Sequence, residues 1–99
     1  MISKLKNDNT DSFYSAVLNL KNIEECYDFF EDICTVSEIQ AMTQRFYVAR
    51  LLDEGKTYQE ISAVTGASTA TISRINKCLE YGADGYRTAL GRLKKDAGN

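Results

Sequence analysis

Histidine and proline are both absent from this chain of 99 residues, and each absence narrows what the protein can be. Without histidine, the usual general base and the usual nucleophilic triads are excluded. No serine, threonine or cysteine stands beside an obvious alternative base, so we expect that the chain is not an enzyme. Without proline, long uninterrupted helices joined by short turns are permitted throughout.

Cysteine is scarce, and its pattern does not suggest a metal site. The three cysteines, Cys26, Cys34 and Cys78, form no CxxC pair and have no histidine to complete a zinc site. We therefore predict no metal and no cofactor. Because free cysteine is among the most buried residue types, we expect small buried thiols.

Long apolar runs are also lacking. No segment approaches the ~20 residues that span a bilayer. The first twelve residues, MISKLKNDNTDS, lack the apolar stretch and the small-residue cleavage site of a signal peptide. We therefore expect a cytoplasmic protein with no membrane partner.

The charge is divided unevenly between the two parts of the chain. Residues 1–40 contain three lysines and eight acidic residues, whereas residues 41–99 contain nine basic and six acidic residues. Such asymmetry suggests that the second part meets a polyanion, although ordinary solvated surface would give the same counts.

The stretch from Thr57 to Leu79 has the outline of a helix-turn-helix. Thr57 and Glu60 have the spacing of a capping box, which predicts the start of a short helix. Gly66 stands where the chain must turn, and glycine accepts a positive φ without steric cost. Ser68 then suits the N-cap of a second helix.

The second helix of this unit has two unlike faces. Ile72, Ile75 and Leu79 recur three and then four residues apart, which defines an apolar face. The other face is small, hydroxylic or basic, as expected of a helix that enters the major groove of DNA. We predict base contacts from Thr69, Ala70, Thr71 and Ser73, and phosphate contacts from Lys56, Tyr58, Gln59, Arg74 and Lys77. For the phosphate set, the alternative is ordinary exposed polar side chains.

The remainder of the chain shows helical spacing and no strand-like alternation. Helices are predicted after a cap at Asp11–Ser12, over 23–34, over 37–54 and over 84–95. Thr35 and Glu38 have the spacing of a second capping box. The prediction is thus an all-α protein of six helices, with one domain over residues 11–95 and the helix-turn-helix at 57–81. We also predict a flexible N-terminal arm over residues 1–10 and a frayed tail over residues 96–99.

The first two predicted helices carry more aromatic side chains than a chain of this length can bury. They include Phe13, Tyr14, Tyr27, Phe29 and Phe30. A homodimer would share one core between two subunits. It would also place two recognition helices in successive major grooves, about 34 Å apart.

From Thr35 onward, the sequence resembles the Trp repressor family, and within it the small bacterial YerC/YecD-type relatives. The resemblance is carried by the run SEIQAMTQRF, the helix end LLDEG and the segment GASTATISR. The last is the most specific, because the family has a glycine-alanine turn followed by an A-T-I-[ST]-R core. The resemblance implies a six-helix fold, an intertwined homodimer, and operator binding through the helix-turn-helix by a transcriptional repressor.

The resemblance also implies an effector pocket, which this chain matches only in part. Arg45 and Arg74 stand where the tryptophan-responsive repressor has two arginines that clamp the amino acid, and Thr35 matches a ligand-contacting threonine. Ile75, however, replaces the glycine that leaves room for the indole ring, and Cys78 replaces a ligand-contacting serine. We therefore do not expect a response to L-tryptophan. A different small effector, or no effector with the pocket closed by Ile75, both remain open.

Other interpretations stay open for single residues and for the whole chain. Arg45 could form an interhelical salt bridge instead of binding a ligand, and Arg74 could contact a phosphate. A helix-turn-helix is also a stable structural unit, so the alternative to a DNA-binding regulator is a helical protein-interaction module. That module would show no saturable, salt-dependent binding to duplex DNA.

Overall fold

The protein is all-helical in the computed structural model, which describes residues 4–98. Six helices and no strand are found in that range: α1 Asp8–Leu18, α2 Ile23–Ile33, α3 Val36–Asp53, α4 Tyr58–Thr65, α5 Thr69–Tyr81 and α6 Gly85–Gly98. The predicted all-α architecture of six helices is confirmed. No helix in the described range is long and apolar enough to cross a membrane.

Both ends of the described chain are more helical than the sequence pattern predicted. The Oδ1 of Asn7 accepts a hydrogen bond from the backbone N–H of Thr10 at 2.8 Å, so α1 begins at Asp8. The prediction of a cap at Asp11–Ser12 is wrong, and the predicted arm is helical from Asp8 onward; residues 1–3 lie outside the described residues. At the other end, α6 continues to Gly98, through most of the predicted tail. Asn99 lies outside the described residues.

The chain divides into two compact units, one ending at Ile39 and the other beginning at Gln40. The first unit contains α1, α2 and the first turn of α3. The rings of Phe13 and Phe29 lie 5.9 Å apart, and Phe29 meets Phe30 edge-on at 5.3 Å, so aromatic contacts join α1 to α2.

Neither α1 nor α2 contributes a buried residue. Large apolar side chains of the first unit instead stay exposed: Tyr14, Leu18, Ile23, Tyr27, Ile33 and Val36. A stable helix in water normally buries one apolar stripe. The predicted excess of apolar surface over interior is therefore present in this unit.

The second unit contains the buried core. Its members come from α3, α4, the following turn, α5 and α6: Val48, Ala49, Ile61, Ala67, Ile72, Ile75, Leu79 and Leu90. Phe46, Leu51, Leu52 and Tyr86 pack around them, half-buried. A salt bridge of 2.5 Å between Lys94 and Asp53 further connects α6 to the end of α3.

The cysteines do not occupy the interior positions that we expected for them. Cys26 and Cys78 are exposed and Cys34 is half-buried, so the prediction of small buried thiols is wrong for this chain. Cys26 lies on α2, which has no buried position at all. Cys78 precedes the buried Leu79 by one residue, and the rotation of about 100° per residue turns it away from the core.

Candidate nucleic-acid interface

The turn between α4 and α5 begins with a glycine in the left-handed region. Gly66 has φ 76°, and its N–H donates to the carbonyl of Ser62 at 2.9 Å. Side chains with a Cβ rarely adopt this φ, because Cβ then crowds the following carbonyl oxygen. The predicted role of Gly66 in the turn is confirmed.

Three hydroxyl hydrogen bonds fix the residues on either side of Gly66. The Oγ1 of Thr65 donates to the Ile61 carbonyl at 2.8 Å and accepts from the N–H of Ala67 at 3.1 Å. The hydroxyl of Ser62 donates to the carbonyl of Ala67 at 2.9 Å. Because Ala67 is also buried in the core, the turn is held from both sides, and the angle between α4 and α5 is determined.

Helix α3 supports the same turn from outside the helix-turn-helix. The Nε2 of Gln44 donates to the carbonyl of Thr65 at 3.1 Å. This carbonyl belongs to the last turn of α4, where backbone oxygens have no partner within the helix. Gln44 therefore satisfies it and connects α4 to the longest helix of the chain.

Helix α5 turns its apolar side inward, as predicted. Ile72, Ile75 and Leu79 are buried, with Ile72 fully inaccessible to solvent. At about 100° per residue, Ala70 and Lys77 point directly away from these three, and both are exposed. Thr69 and Thr71 occupy the two flanks of the first turn. The predicted reading residues therefore share the end and the outer side of one helix.

The start of α5 holds one hydroxyl in a defined orientation. The Oγ of Ser68 accepts from the backbone N–H of Thr71 at 3.1 Å, which confirms Ser68 as N-cap. The hydroxyl of Ser68 also donates to the Oγ1 of Thr71 at 3.1 Å. A threonine hydroxyl that accepts one hydrogen bond still has its own hydrogen to donate. Thr71 thus offers a donor at the N-terminal end of α5.

The predicted phosphate contacts are accessible. Lys56, Tyr58 and Gln59, at the start of α4, are exposed, as are Arg74 and Lys77 on α5. The capping box of α4 is present: Glu60 Oε1 accepts from the N–H of Thr57 at 2.9 Å, and the Oγ1 of Thr57 accepts from the N–H of Glu60 at 3.1 Å. The backbone hydrogen bond from Thr57 lowers the pKa of Glu60, and its side-chain hydrogen bond adds to this effect.

Sequence reasoning missed two residues at the far end of α5. Tyr81, which the prediction placed at the end of the helix-turn-helix without a role, is the last residue of α5 and lies on its exposed side. Arg87, to which the sequence analysis gave no role, donates from Nε to the carbonyl of Leu79 at 2.8 Å. The spacing of Tyr81, four residues after Lys77, was the signal that could have placed it.

Ile75 stands where the tryptophan-responsive repressor has a glycine, and it is a core residue of the second unit. Ile75 is only 4 % exposed and belongs to the core of the second unit, together with its neighbours Ile72 and Leu79. Arg74, the adjacent residue, is exposed. Adjacent residues of α5 therefore face opposite environments: Ile75 packs inward, while Arg74 points into solvent.

The other residues matched to the effector pocket have different surroundings. Arg45 is exposed, and within residues 4–98 the structure shows no salt bridge to it. Burial raises the pKa of Tyr86; the nearby Cys78 adds to this increase and Arg45 opposes it. Tyr86, which the resemblance did not single out, thus lies near both of these residues.

Thr35 belongs to the first unit, and it acts there as a helix cap. Its Oγ1 accepts from the backbone N–H of Glu38 at 3.1 Å, and Oε1 of Glu38 accepts from the N–H of Thr35 at 2.8 Å. The predicted capping box of α3 is confirmed. These two hydrogen bonds, first from the backbone and then from the side chain of Thr35, lower the pKa of Glu38.

Comparison with known proteins agrees with this geometry. Residues 8–94 match the family model described as Trp repressor protein. The chain is 53 % identical to the uncharacterized protein YerC of Bacillus subtilis (strain 168) over 94 residues, which cover 95 % of this chain and 90 % of that protein.

Two crystal structures extend the agreement to the fold. A TrpR-like protein from Eubacterium eligens is 52 % identical, with a TM-score of 0.89 over 92 % of this chain and 94 % of that one. A second protein, from Staphylococcus aureus and described as a candidate Trp repressor, is 47 % identical, with a TM-score of 0.88 over 92 % of this chain and 91 % of that one. The chain belongs to the Trp repressor family.

Proposed function

We propose that this protein is a sequence-specific DNA-binding transcriptional regulator, a repressor, which binds duplex DNA as a cytoplasmic homodimer through α4 and α5. The observation that carries the proposal is the division of α5 into a buried apolar face and an exposed face that includes Ala70, Arg74 and Lys77. Membership of the Trp repressor family supports the same activity.

The two sets of exposed residues have separate tasks in this proposal. Phosphate contacts supply affinity, and base contacts supply sequence choice. The cationic side chains of Lys56, Arg74 and Lys77 bind phosphates. The small residues of the first turn, Ala70 and Thr71 among them, approach base edges, where a methyl group can touch thymine and a hydroxyl can hydrogen-bond.

The surface of the first unit supports the homodimer. Leu18 is 85 % exposed, Ile23 71 % and Tyr27 64 %, and the two helices that carry them have no buried residue. Apolar patches of this kind usually mark an interaction site. A two-fold pair would also present two copies of α5 to successive major grooves, about 34 Å apart.

We propose further that the regulator does not respond to L-tryptophan. Ile75, in place of the repressor's glycine, is 4 % exposed and already occupies the space on the inner side of α5. Admission of an indole ring would require the displacement of a packed core side chain. A small effector of another kind would have to bind elsewhere around Arg45 and Arg74, both of which are exposed.

The decisive experiment is the selection of bound sites from random duplex DNA by the full-length protein. We expect enrichment of a motif with two-fold symmetry. The variant Ala70→Glu places a carboxylate on the exposed face of α5 without disturbing the buried face, and it should lose the enrichment. Failure of the wild-type protein to enrich any motif, together with no salt-dependent binding to duplex DNA, would instead favour the protein-interaction module.

The same selection, repeated with L-tryptophan and with a panel of small metabolites, tests the effector. The motif and the affinity should be unchanged by L-tryptophan. A tryptophan-dependent increase in affinity would contradict the closed pocket while leaving DNA binding itself established.

A further inference from the structure

The last turn of α5 carries an aromatic side chain that the core does not use. Tyr81 is 83 % exposed, more than Tyr14, Tyr27 or Tyr58. Its ring is thus almost wholly in water, although burial of a tyrosine ring is ordinarily favourable. Neither the core of the second unit nor the predicted DNA contacts account for this placement.

Tyr81 continues the exposed side of the recognition helix. It follows Ala70, Arg74 and Lys77 at intervals of four, three and four residues, which keeps all four on one side of an α-helix. The buried side chains of α5 lie on the opposite side. At 1.5 Å per residue, Tyr81 lies about 17 Å along the helix axis from Ala70.

The helix end that carries Tyr81 is held in place. The N–H of Gly82 donates to the carbonyl of Cys78 at 2.9 Å, and the Nε of Arg87 donates to the carbonyl of Leu79 at 2.8 Å. A Cβ at position 82 would collide with the backbone oxygen of Cys78, so this turn requires glycine. These contacts satisfy carbonyls that otherwise leave a helix end free to fray, and they keep Tyr81 on the line of α5.

We propose that the hydroxyl of Tyr81 donates a hydrogen bond to a DNA phosphate at the far end of the recognition helix. The proposal rests on the proposed function. The major groove is about 12 Å wide, so a helix whose N-terminal turn reads bases brings a residue about 17 Å farther along to the sugar-phosphate edge. A phenol is a neutral donor to phosphate, and the cations of Arg74 and Lys77 on the same side attract that strand.

The charge of the contact gives it a distinct experimental signature. A lysine that binds a phosphate releases a counterion, so its removal lowers the dependence of affinity on salt. A neutral hydroxyl releases none. Loss of the Tyr81 hydroxyl should therefore weaken binding by the same factor at every salt concentration. Loss of the Lys77 ammonium should weaken binding by a factor that depends on the salt concentration.

The test is a titration of duplex DNA, of operator and of random sequence, at several salt concentrations. Tyr81→Phe should weaken binding to both duplexes about two- to ten-fold, the effect of one hydrogen bond, with an unchanged salt slope. Lys77→Ala should reduce the slope by about one unit. Tyr47→Phe, which removes the hydroxyl of a half-buried tyrosine on α3, is the control and should bind as the wild type does.

Three results would overturn the inference. Wild-type affinity of Tyr81→Phe would show that the hydroxyl makes no contact. Equal losses for Tyr81→Phe and Tyr47→Phe would show a general effect of removing a tyrosine hydroxyl. If the wild-type protein binds no duplex at all, the proposed function fails and the inference fails with it; the first two results leave the proposed function intact. Phosphate-ethylation interference should show one fewer critical phosphate per half-site for Tyr81→Phe than for the wild type.

Discussion

Ile75 is the residue on which the proposed lack of a response to L-tryptophan rests. The resemblance assigned Ile75 to a position where the repressor has glycine, and helical spacing assigned it to the apolar face. Both arguments predict that the Ile75 side chain points to the inner side of α5, and the structure places it in the core. An isoleucine there contributes to folding because its burial removes apolar surface from water.

The first prediction concerns this packing. Ile75→Ala should lower the free energy of unfolding by about 2–5 kcal/mol, because a fully packed isoleucine leaves a cavity when it is truncated. Arg74→Ala, one residue earlier and exposed, should change it by less than about 0.5 kcal/mol. Urea unfolding of the three proteins measures both values. Equal midpoints for Ile75→Ala and the wild type would show that the space around Ile75 is not packed.

The individual residues of the interface were predictable where a local rule applied. Ser68 was identified as a cap because a hydroxyl residue preceded a helical pattern, and the structure confirms it. Cys78 was assigned to the interior from the average behaviour of cysteine, and that was wrong because its rotation about α5 decides its exposure. Tyr81 received no role because the predicted DNA contacts on α5 ended at Lys77.

At the scale of elements, the helix-turn-helix is defined by the chemistry of its ends. A capping box begins α4, a left-handed glycine ends it, and a serine cap begins α5. Each of these signals needs only a few neighbouring residues, which is why the boundaries of this unit were predicted correctly. At α1 the same rule failed, because residues 7–12 contain several residues able to cap, and the structure uses the earliest of them, Asn7.

The second prediction compares Gly66, which has a positive φ, with Gly91, which lies inside a helix. Gly66→Ala should lower the free energy of unfolding by about 1–2 kcal/mol, since φ is +76° and a Cβ is strained there. Gly91→Ala, inside α6 with nothing within 4 Å of the added Cβ, should raise it by about 0.5–1 kcal/mol. Denaturant unfolding of both variants shows whether each substitution lowers or raises the free energy of unfolding. A stabilising Gly66→Ala would rule out the left-handed turn.

The third prediction concerns how the free energy of unfolding falls at acid pH. The capping hydrogen bonds lower the pKa of Glu60 in the folded protein, so its ionised form is favoured by folding. The ionised Glu60 contributes fully to the free energy of unfolding above the ordinary carboxyl pKa of about 4.3. This contribution is lost as the pH falls through the lowered pKa of the folded protein.

Glu60→Gln should therefore show a shallower loss of unfolding free energy than the wild type as the pH is lowered below that point. Because Glu38 caps α3 in the same way, Glu38→Gln/Glu60→Gln should be shallower still. Unfolding followed by circular dichroism from pH 2 to pH 8 tests this. Parallel curves for all three proteins over the acid range would exclude the capping carboxylates as the cause.

At the scale of the whole molecule, the sequence predicted the number of helices, their class and the location of the recognition unit. It also predicted the excess of apolar surface on the first two helices, which remains exposed in the single chain. What covers that surface could not be read from periodicity, because periodicity records which face is apolar and not which molecule meets it. The homodimer is therefore part of the proposed function.

The fourth prediction follows from this surface. Sedimentation equilibrium of the wild-type protein should give twice the mass of one chain. Leu18→Asp should shift the protein toward a monomer, because a carboxylate cannot be buried against an apolar partner without a large cost. Asn9→Asp, on the opposite side of α1, carries the same added charge and should remain dimeric. A wild-type monomer at micromolar concentration would refute the dimer.

Under the proposed function, the fixed turn at residues 65–67 has a consequence for the DNA rather than for the protein. Because hydroxyl hydrogen bonds hold both sides of Gly66, α4 and α5 have little freedom to rearrange when they meet a site. The duplex must then supply the adjustment, by bending or by changing the width of its grooves. The energy of that deformation depends on base sequence, even at positions that no side chain touches. In the proposed function, preferred sites should therefore contain flexible pyrimidine–purine steps between the two half-sites, and selection of bound sites from random duplex DNA should enrich such steps.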